Sequence, residues 1–173
     1  MGPLQARLAR GDSAAFAELY DACADRVGHY LLVRLGSRAD ADDALQETFL
    51  RLVRNRKKLA AVENLEAYVI TIARNEASRL AAGKTRRQRG QQPLMADELF
   101  CCPPCDTDIR ETVERVTAAL QRLTPELREI VELKAYAGLT FQQISQVTEL
   151  PQGTVATRYR TALAKMQSWF ARE

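Results

Sequence analysis

The sequence predicts an all-α chain of two small helical domains joined by a flexible linker. Three observations lead there. The composition is rich in Ala, Leu, Arg, Glu and Gln and modest in β-branched residues, which favours helix over strand. Apolar residues recur at helical spacing between recognisable caps. That periodicity stops over residues 90–108, where Gly90, Pro93, Pro103 and Pro104 interrupt it. The 173 residues leave room for one or two small domains.

Residues 1–10 read as a short helix or arm. Asp12 or Ser13 is the expected cap of the first long helix. Its apolar face runs through Phe16, Leu19, Tyr20, Cys23, Val27, Tyr30 and Leu31 to a stop at Gly36. Asp40 is the expected cap of the next helix, whose first turn is acidic, as the helix dipole favours. There Ala44, Leu45, Thr48, Phe49 and Leu52 face inward. Asp42, Asp43, Gln46, Glu47, Leu50, Arg51 and Arg54 remain for solvent. The basic run Arg54, Arg56, Lys57 and Lys58 reads as a solvated surface. Asn64 or Glu63 starts a third helix in which Leu65, Tyr68, Val69, Ile72, Ala73 and Leu80 are spaced for burial. Arg74, Asn75, Ser78 and Arg79 occupy its other side, and Lys84, Arg86, Arg87 and Arg89 follow. Such a set suits single-stranded nucleic acid, through stacking and phosphate contact. It suits an ordinary amphipathic helix equally well.

Beyond the break, a helix is expected from Ile109 through Val113, Val116 and Leu120 to Leu123. Thr124–Pro125 starts another, with Leu127, Ile130, Val131, Leu133 and Tyr136 on its apolar face. Gly138 fits a left-handed C-cap. Thr140 and Gln143 form a capping box for a helix carrying Phe141, Ile144 and Val147. Leu150, Pro151 and Gly153 are the expected turn, with the glycine supplying a positive φ. Thr154 is the expected cap of the last helix, whose inner face is Val155, Tyr159, Ala162 and Met166. Ala156, Thr157, Arg158, Arg160 and Thr161 lie further out. Short side chains beside arginines suit a DNA groove, and a second helix presented this way is the recognition-helix arrangement. A helical hairpin with a solvated polar face is the other reading.

The net charge of +3 is too small to argue for nucleic acid alone, but its distribution is uneven. Residues 1–90 carry 16 basic and 11 acidic residues, 91–108 four acids and no base, and 109–173 nine basic and seven acidic. Two basic blocks therefore flank an acidic connector. No apolar run approaches the roughly 20 residues of a membrane helix, and the first residues lack a secretory core. A cytoplasmic protein without membrane insertion is expected. With one histidine, and no phosphate loop or nucleophile elbow, no catalytic residues and no cofactor are expected. Cys102 and Cys105 have the C-x-x-C spacing of zinc and redox sites. A closed zinc site needs four ligands, and Cys101 adds only a third sulfur; Cys23, His29, an acid or water would have to supply the fourth. Reduced thiols and no metal are expected.

Five stretches now carry a resemblance: A-F-A-E-L-Y-D, D-A-D-D-A-L-Q-E-T-F-L-R-L, A-Y-V-I-T-I-A-R-N-E-A, L-T-P-E-L-R-E-I-V-E-L, and G-L-T-F-Q-Q-I-S-Q-V-T-E-L-P-Q-G-T-V-A-T-R-Y-R. In this order and spacing the chain resembles a bacterial sigma factor of the extracytoplasmic-function (ECF) group, the smallest branch of the sigma-70 family. The resemblance implies a region 2-like domain over 1–89, a linker over 90–108 and a region 4-like helix-turn-helix domain over 109–173. It implies core RNA polymerase (the β′ clamp and β subunits), promoter DNA and an anti-sigma factor as partners. By the same resemblance Asp43, Gln46, Glu47, Leu50 and Arg51 meet the polymerase. Leu65, Tyr68, Arg74, Asn75 and Arg79 meet the −10 strand, where a flipped-out base suits apolar and aromatic groups beside an amide. Thr154, Ala156, Thr157, Arg158, Arg160 and Thr161 meet the −35 element. The acidic linker would lie on the path of nascent RNA. Many relatives carry Trp near Val53 or Tyr68 and basic residues at Ala156, Thr161 and Leu163; this chain does not.

Two other readings stay open at the level of sequence. A free-standing helix-turn-helix regulator would use only the last third. A helical adaptor would bind proteins alone. An acidic-amide face on the second long helix is not needed by the former. Replacing a base-reading arginine among Arg158 and Arg160 with alanine is expected to cost about 1–3 kcal/mol and relax specificity at one position, whereas losing a phosphate contact weakens all sequences alike; binding to a promoter library reads the difference.

Overall fold

The computed structural model describes residues 2–85 and 107–171. The chain divides into two units, within residues 1–91 and 92–173. Every regular element among the described residues is helical.

In the first unit α1 (Pro3–Arg10) ends at Gly11, whose φ of 85° is left-handed. Asp12 caps α2 (Ser13–Leu35) by accepting from the N–H groups of Ala14 at 2.9 Å and Ala15 at 3.4 Å. The Arg7 guanidinium, 2.8 Å away, holds the Asp12 carboxyl below the usual carboxylate range. Because that shift is downward, the cap's contribution is present at neutral pH and fades only as acid protonates the folded-state carboxyl. Gly36, at φ 68°, ends α2 as expected. The cap of α3 (Arg38–Arg54) is Ser37, not Asp40: the Asp40 N–H donates to the Ser37 hydroxyl at 3.4 Å. Asp40 then sits in the first turn, where an acid still favours the dipole. A 3-10 helix (Arg56–Ala61) follows, and Asn64 caps α4 (Leu65–Thr85) by accepting from Ala67 N–H at 3.0 Å.

These helices share one core. Val27, Tyr30 and Leu31 of α2, Ala44 and Leu52 of α3, and Val69, Ala73 and Ala77 of α4 are all buried. Leu8 of α1 and Leu59 of the 3-10 helix are fully buried where those two elements pack together. Thr48 is buried too, and its hydroxyl donates to the Ala44 carbonyl one turn back, which satisfies the group without a tertiary partner. The Cys23 thiol donates to the Leu19 carbonyl at 3.0 Å. Burial pushes it up to about 11, so it stays a protonated, apolar-like core group and not a thiolate ligand.

In the second unit α5 (Thr107–Arg122) begins two residues before the expected Ile109. Most of the expected linker, Cys101, Cys102 and Cys105 included, lies outside the described residues. The last carbonyls of α5 are met by Arg128, which donates to Leu120 at 2.9 Å, Gln121 at 2.6 Å and Leu123 at 3.2 Å, answering the unsatisfied acceptors of a helix end. Pro125 opens α6 (Pro125–Ala135) after Thr124. Leu120, Leu123, Val131, Ala162 and Met166 form the core, with Tyr136, Trp169 and Phe170 packed against it.

The helix-turn-helix is α7 (Phe141–Thr148) and α8 (Gln152–Phe170). Gly138 is left-handed at φ 68°, and the Thr140–Gln143 capping box forms with bonds of 2.8 and 3.2 Å. The turn differs from expectation in two ways. Glu149, not Gly153, takes the positive φ, at 57°. Pro151, not Thr154, precedes α8, so Gly153 and Thr154 are already helical. Proline's fixed φ and missing N–H suit it to a helix start, and this displaces the cap by three residues. Thr140→Ala is therefore expected to lower stability by about 1 kcal/mol through loss of a cap, and Thr154→Ala to stay within about 0.5 kcal/mol. Equilibrium denaturation of the two variants checks this; equal losses would contradict it.

Candidate protein and nucleic-acid interfaces

On α3 the buried positions Ala41, Ala44, Thr48 and Leu52 define the inner arc. At about 100° per residue, Asp43, Gln46 and Leu50 lie on the arc opposite it, Glu47 lies on its flank, and Arg51 lies next to Ala44 at the edge of the inner arc. The five expected contact residues thus run from the outer arc of α3 round to its seam with α4. They are not equivalent. Asp43, Gln46 and Leu50 are exposed, while Glu47 and Arg51 are half-buried. Glu47 accepts from Arg51 at 3.4 Å and from Arg54 at 3.1 Å. Arg51 also approaches Glu76 of α4, with Nε 2.6 Å from Oε1.

Glu76 went unnoticed in the sequence and is 1% exposed. Its Oε2 accepts from Arg79 at 2.9 Å. No donor aligns with its Oε1, so Arg51 holds that oxygen by charge rather than by a directed hydrogen bond. Two arginines therefore bracket one buried carboxylate at the seam between α3 and α4. The sequence signal was available: a glutamate between Ala73 and Ala77, on the buried side of a helix.

Beside the exposed arc of α3 lies a groove of about 550 Å³ between α2 and α3, lined by the apolar or aromatic Phe16, Ala17, Tyr20, Leu45, Phe49, Leu50 and Val53 and by the polar Asp42 and Gln46. Tyr20, expected in the core, is 46% exposed; Leu50 is 42% and Val53 41% exposed. Tyr20 and Phe49 stack at a tilt, their centroids 4.7 Å apart. Helical spacing on α2 shows that Tyr20 lies near Phe16. It does not show that α3 stops short of covering both. Grouped exposed apolar side chains of this size mark protein-contact sites more often than chance surface.

On α4, Leu65, Tyr68, Asn75 and Arg79 fall within one quarter-turn arc of the helix. Leu65 and Tyr68 are half-buried, Asn75 and Arg79 exposed. Arg74 lies about 100° around from Asn75 and is half-buried, so it leaves the stripe. Ala67, Ile70 and Ala77, outside the expected set, join Val69 and Ala73 in burial.

On α8, Val155, Ala162 and Met166 are buried, and the arc opposite them carries Thr157, Arg160 and Thr161. All three are exposed. The Thr157 hydroxyl donates to the Gly153 carbonyl at 2.8 Å, and that of Thr161 to Thr157 at 2.9 Å. Thr154, Ala156 and Arg158 lie at the edges of this arc and are half-buried. The Glu126 carboxyl is held below its usual range first by its own N–H, then by Thr124, and further by the charge of Arg158. Gly153 faces open space: a Cβ there would meet nothing within 4 Å. Among the described residues no three His, Cys, Asp or Glu side chains group to hold a metal, and no helix is long and apolar enough to cross a membrane.

The family model for sigma-70 region 2 matches residues 19–87, and that for sigma-70 region 4 matches residues 113–166. The ECF RNA polymerase sigma factor BldN of Streptomyces coelicolor is 29% identical over 168 residues, covering 92% of this chain and 62% of BldN, so the chain falls short of two thirds of that relative's length. The ECF sigma factor SigK of Mycobacterium tuberculosis is 28% identical over 170 residues, covering 94% of this chain and 89% of SigK. Among solved structures, the sigma factor RpoE of Bartonella quintana, in complex with the anti-sigma factor NepR, shares the fold with a TM-score of 0.70 at 18% identity, over 90% of this chain and 96% of that one.

Because Arg51 pairs with a buried carboxylate, Arg51→Ala is expected to lower stability by about 1–2 kcal/mol, while Asp43→Ala stays within about 0.5 kcal/mol. Urea denaturation distinguishes them, and equal stability would remove the structural role of Arg51.

Proposed function

Because the chain belongs to the sigma-70 family, in its extracytoplasmic-function group, we propose that it binds core RNA polymerase and directs promoter-specific initiation at −10 and −35 elements. In this reading residues 1–89 bind polymerase and open the −10 element, 90–108 link, and 109–173 read the −35 element. The protein works in the cytoplasm, without enzymatic activity of its own. The polymerase β′ clamp and β subunits and promoter DNA are its partners, and an anti-sigma factor restrains it. The similar RpoE of Bartonella quintana is known bound to such a factor.

The observation that supports this most directly is the surface of α3. An apolar groove containing Tyr20, Leu50 and Val53 runs beside a charged ridge of Asp43, Glu47 and Arg54. Apolar anchors ringed by polar groups are the usual anatomy of a protein interface. A helix-turn-helix regulator acting alone has no use for such a surface in a separate unit. The α4 stripe supports a strand-binding role, since Tyr68 can stack on a base, Asn75 can hydrogen-bond one and Arg79 can meet phosphate. The α8 arc supports groove reading. Thr157, Thr161 and Gly153 are small enough to let the helix approach closely, and Arg160 brings donors suited to guanine or phosphate.

Leu50→Asp and Val53→Asp alter exposed side chains and are expected to leave helicity intact. Each is expected to weaken binding to core polymerase by about tenfold or more, as loss of an apolar anchor does. Glu47→Lys is expected to weaken it further at low salt than at high salt. Co-purification and fluorescence titration with core polymerase measure both. Wild-type affinity in all three variants would remove α3 as the polymerase-binding surface.

A further inference from the structure

We propose that Glu76 is a positioning residue: it sets the guanidinium groups of Arg51 and Arg79, and through Arg79 it fixes how α4 meets a nucleic-acid phosphate. The inference rests on the reading above that the α4 stripe binds a DNA strand. A carboxylate at 1% exposure needs paired cations, because burying an isolated charge is strongly unfavourable. Here it has two, on different helices. Arg79 meets Oε2 through Nε at 2.9 Å and a terminal nitrogen at 2.8 Å, while Arg51 lies 2.6 Å from Oε1.

An apolar side chain would fill this site more cheaply, since its inward neighbours on α4, Val69, Ala73 and Ala77, are themselves apolar. The carboxylate's distinct effect is on the arginines. Arg79 is 60% exposed and Arg51 42%, so each is anchored at one edge with donors to spare, a guanidinium carrying five. A free arginine loses much rotamer entropy on reaching a phosphate; one already held by Glu76 loses less. Arg54, Glu47, Arg51, Glu76 and Arg79 form an alternating line of charge across the seam. One buried carboxylate thus orders a cation on the proposed polymerase-binding helix and another on the proposed strand-binding helix.

The test uses the full chain and a fluorescein-labelled single-stranded oligo-dT, titrated over a range of salt. Loss of one phosphate contact on a single strand lowers the slope of log K against log salt by about 0.7. Glu76→Gln and Arg79→Gln are each expected to show that reduction. The double variant is expected to show no more than either alone, as for two residues acting through one contact. A mere loss of folded protein would reduce apparent affinity and leave the slope unchanged. A wild-type slope in Glu76→Gln, or additive effects in the double variant, overturns the proposal. If Glu76→Gln loses its helical signal, Arg79→Gln decides: a wild-type slope there overturns it. Wild-type protein that fails to bind the strand overturns the strand-binding reading of α4 and this inference with it, whereas binding with unaltered slopes overturns this inference alone.

Discussion

Burial of one apolar stripe per helix is the constraint on which the rest of the structure depends. The described α-helices run from eight to 23 residues; the shortest would be marginal alone in water, and in proteins most helical stability comes from packing of an apolar face. Each is held by packing, so its inner arc decides what its outer arc can offer. Once Ala44, Thr48 and Leu52 of α3 turn inward, Asp43, Gln46, Glu47 and Leu50 must face out. Once Val155, Ala162 and Met166 of α8 turn inward, Thr157 and Arg160 must face out. In both units the proposed contact surfaces are the complement of the core, and their spacing follows from 3.6 residues per turn.

Glu76 breaks that division. It sits on the buried side of α4 and carries a charge there. Its neighbours resolve the conflict by bringing Arg51 from α3 and Arg79 from α4 to its two oxygens. This gives the α3–α4 packing an electrostatic registry that apolar contacts, being non-directional, do not provide. It also means that Arg51 serves the fold before it serves any partner. A charge reversal at Arg51 would disturb the seam as well as the surface, whereas one at Glu47 would act mainly at the surface.

The second unit solves a different local problem, that of ending and restarting short helices. Gly138 turns left-handed, Thr140 and Gln143 cap each other, and Arg128 meets the final carbonyls of α5. Between α7 and α8 a non-glycine residue, Glu149, takes the left-handed conformation, normally somewhat costly for a residue with a Cβ. Packing of Phe141 on Tyr159, with ring centroids 5.4 Å apart, and burial of Ile144 and Val155 hold the two helices at that angle. Gly153 is thereby freed from the turn and stands on the outward face of α8.

Among the described residues the sequence by itself determined the fold class, the helices from α2 to α8 and most of their expected caps, because these depend on local spacing and on hydrogen bonds made within three or four residues; it left α1 as a helix or an arm and did not show the 3-10 helix at Arg56–Ala61. It determined also which residues of α3 and α8 lie on one outward arc, since a helix has a single period. It placed Leu65, Tyr68, Asn75 and Arg79 among the candidates on α4, but included Arg74, whose position off the stripe follows from register alone. Only the tertiary structure decided that Tyr20 is exposed in a groove, that Glu76 is buried between two arginines, and that Glu149 rather than Gly153 takes the left-handed conformation. The reason is the same in each case. Whether a side chain is covered, paired or strained depends on atoms from a neighbouring helix, and the periodicity of one helix contains nothing about where the next one lies.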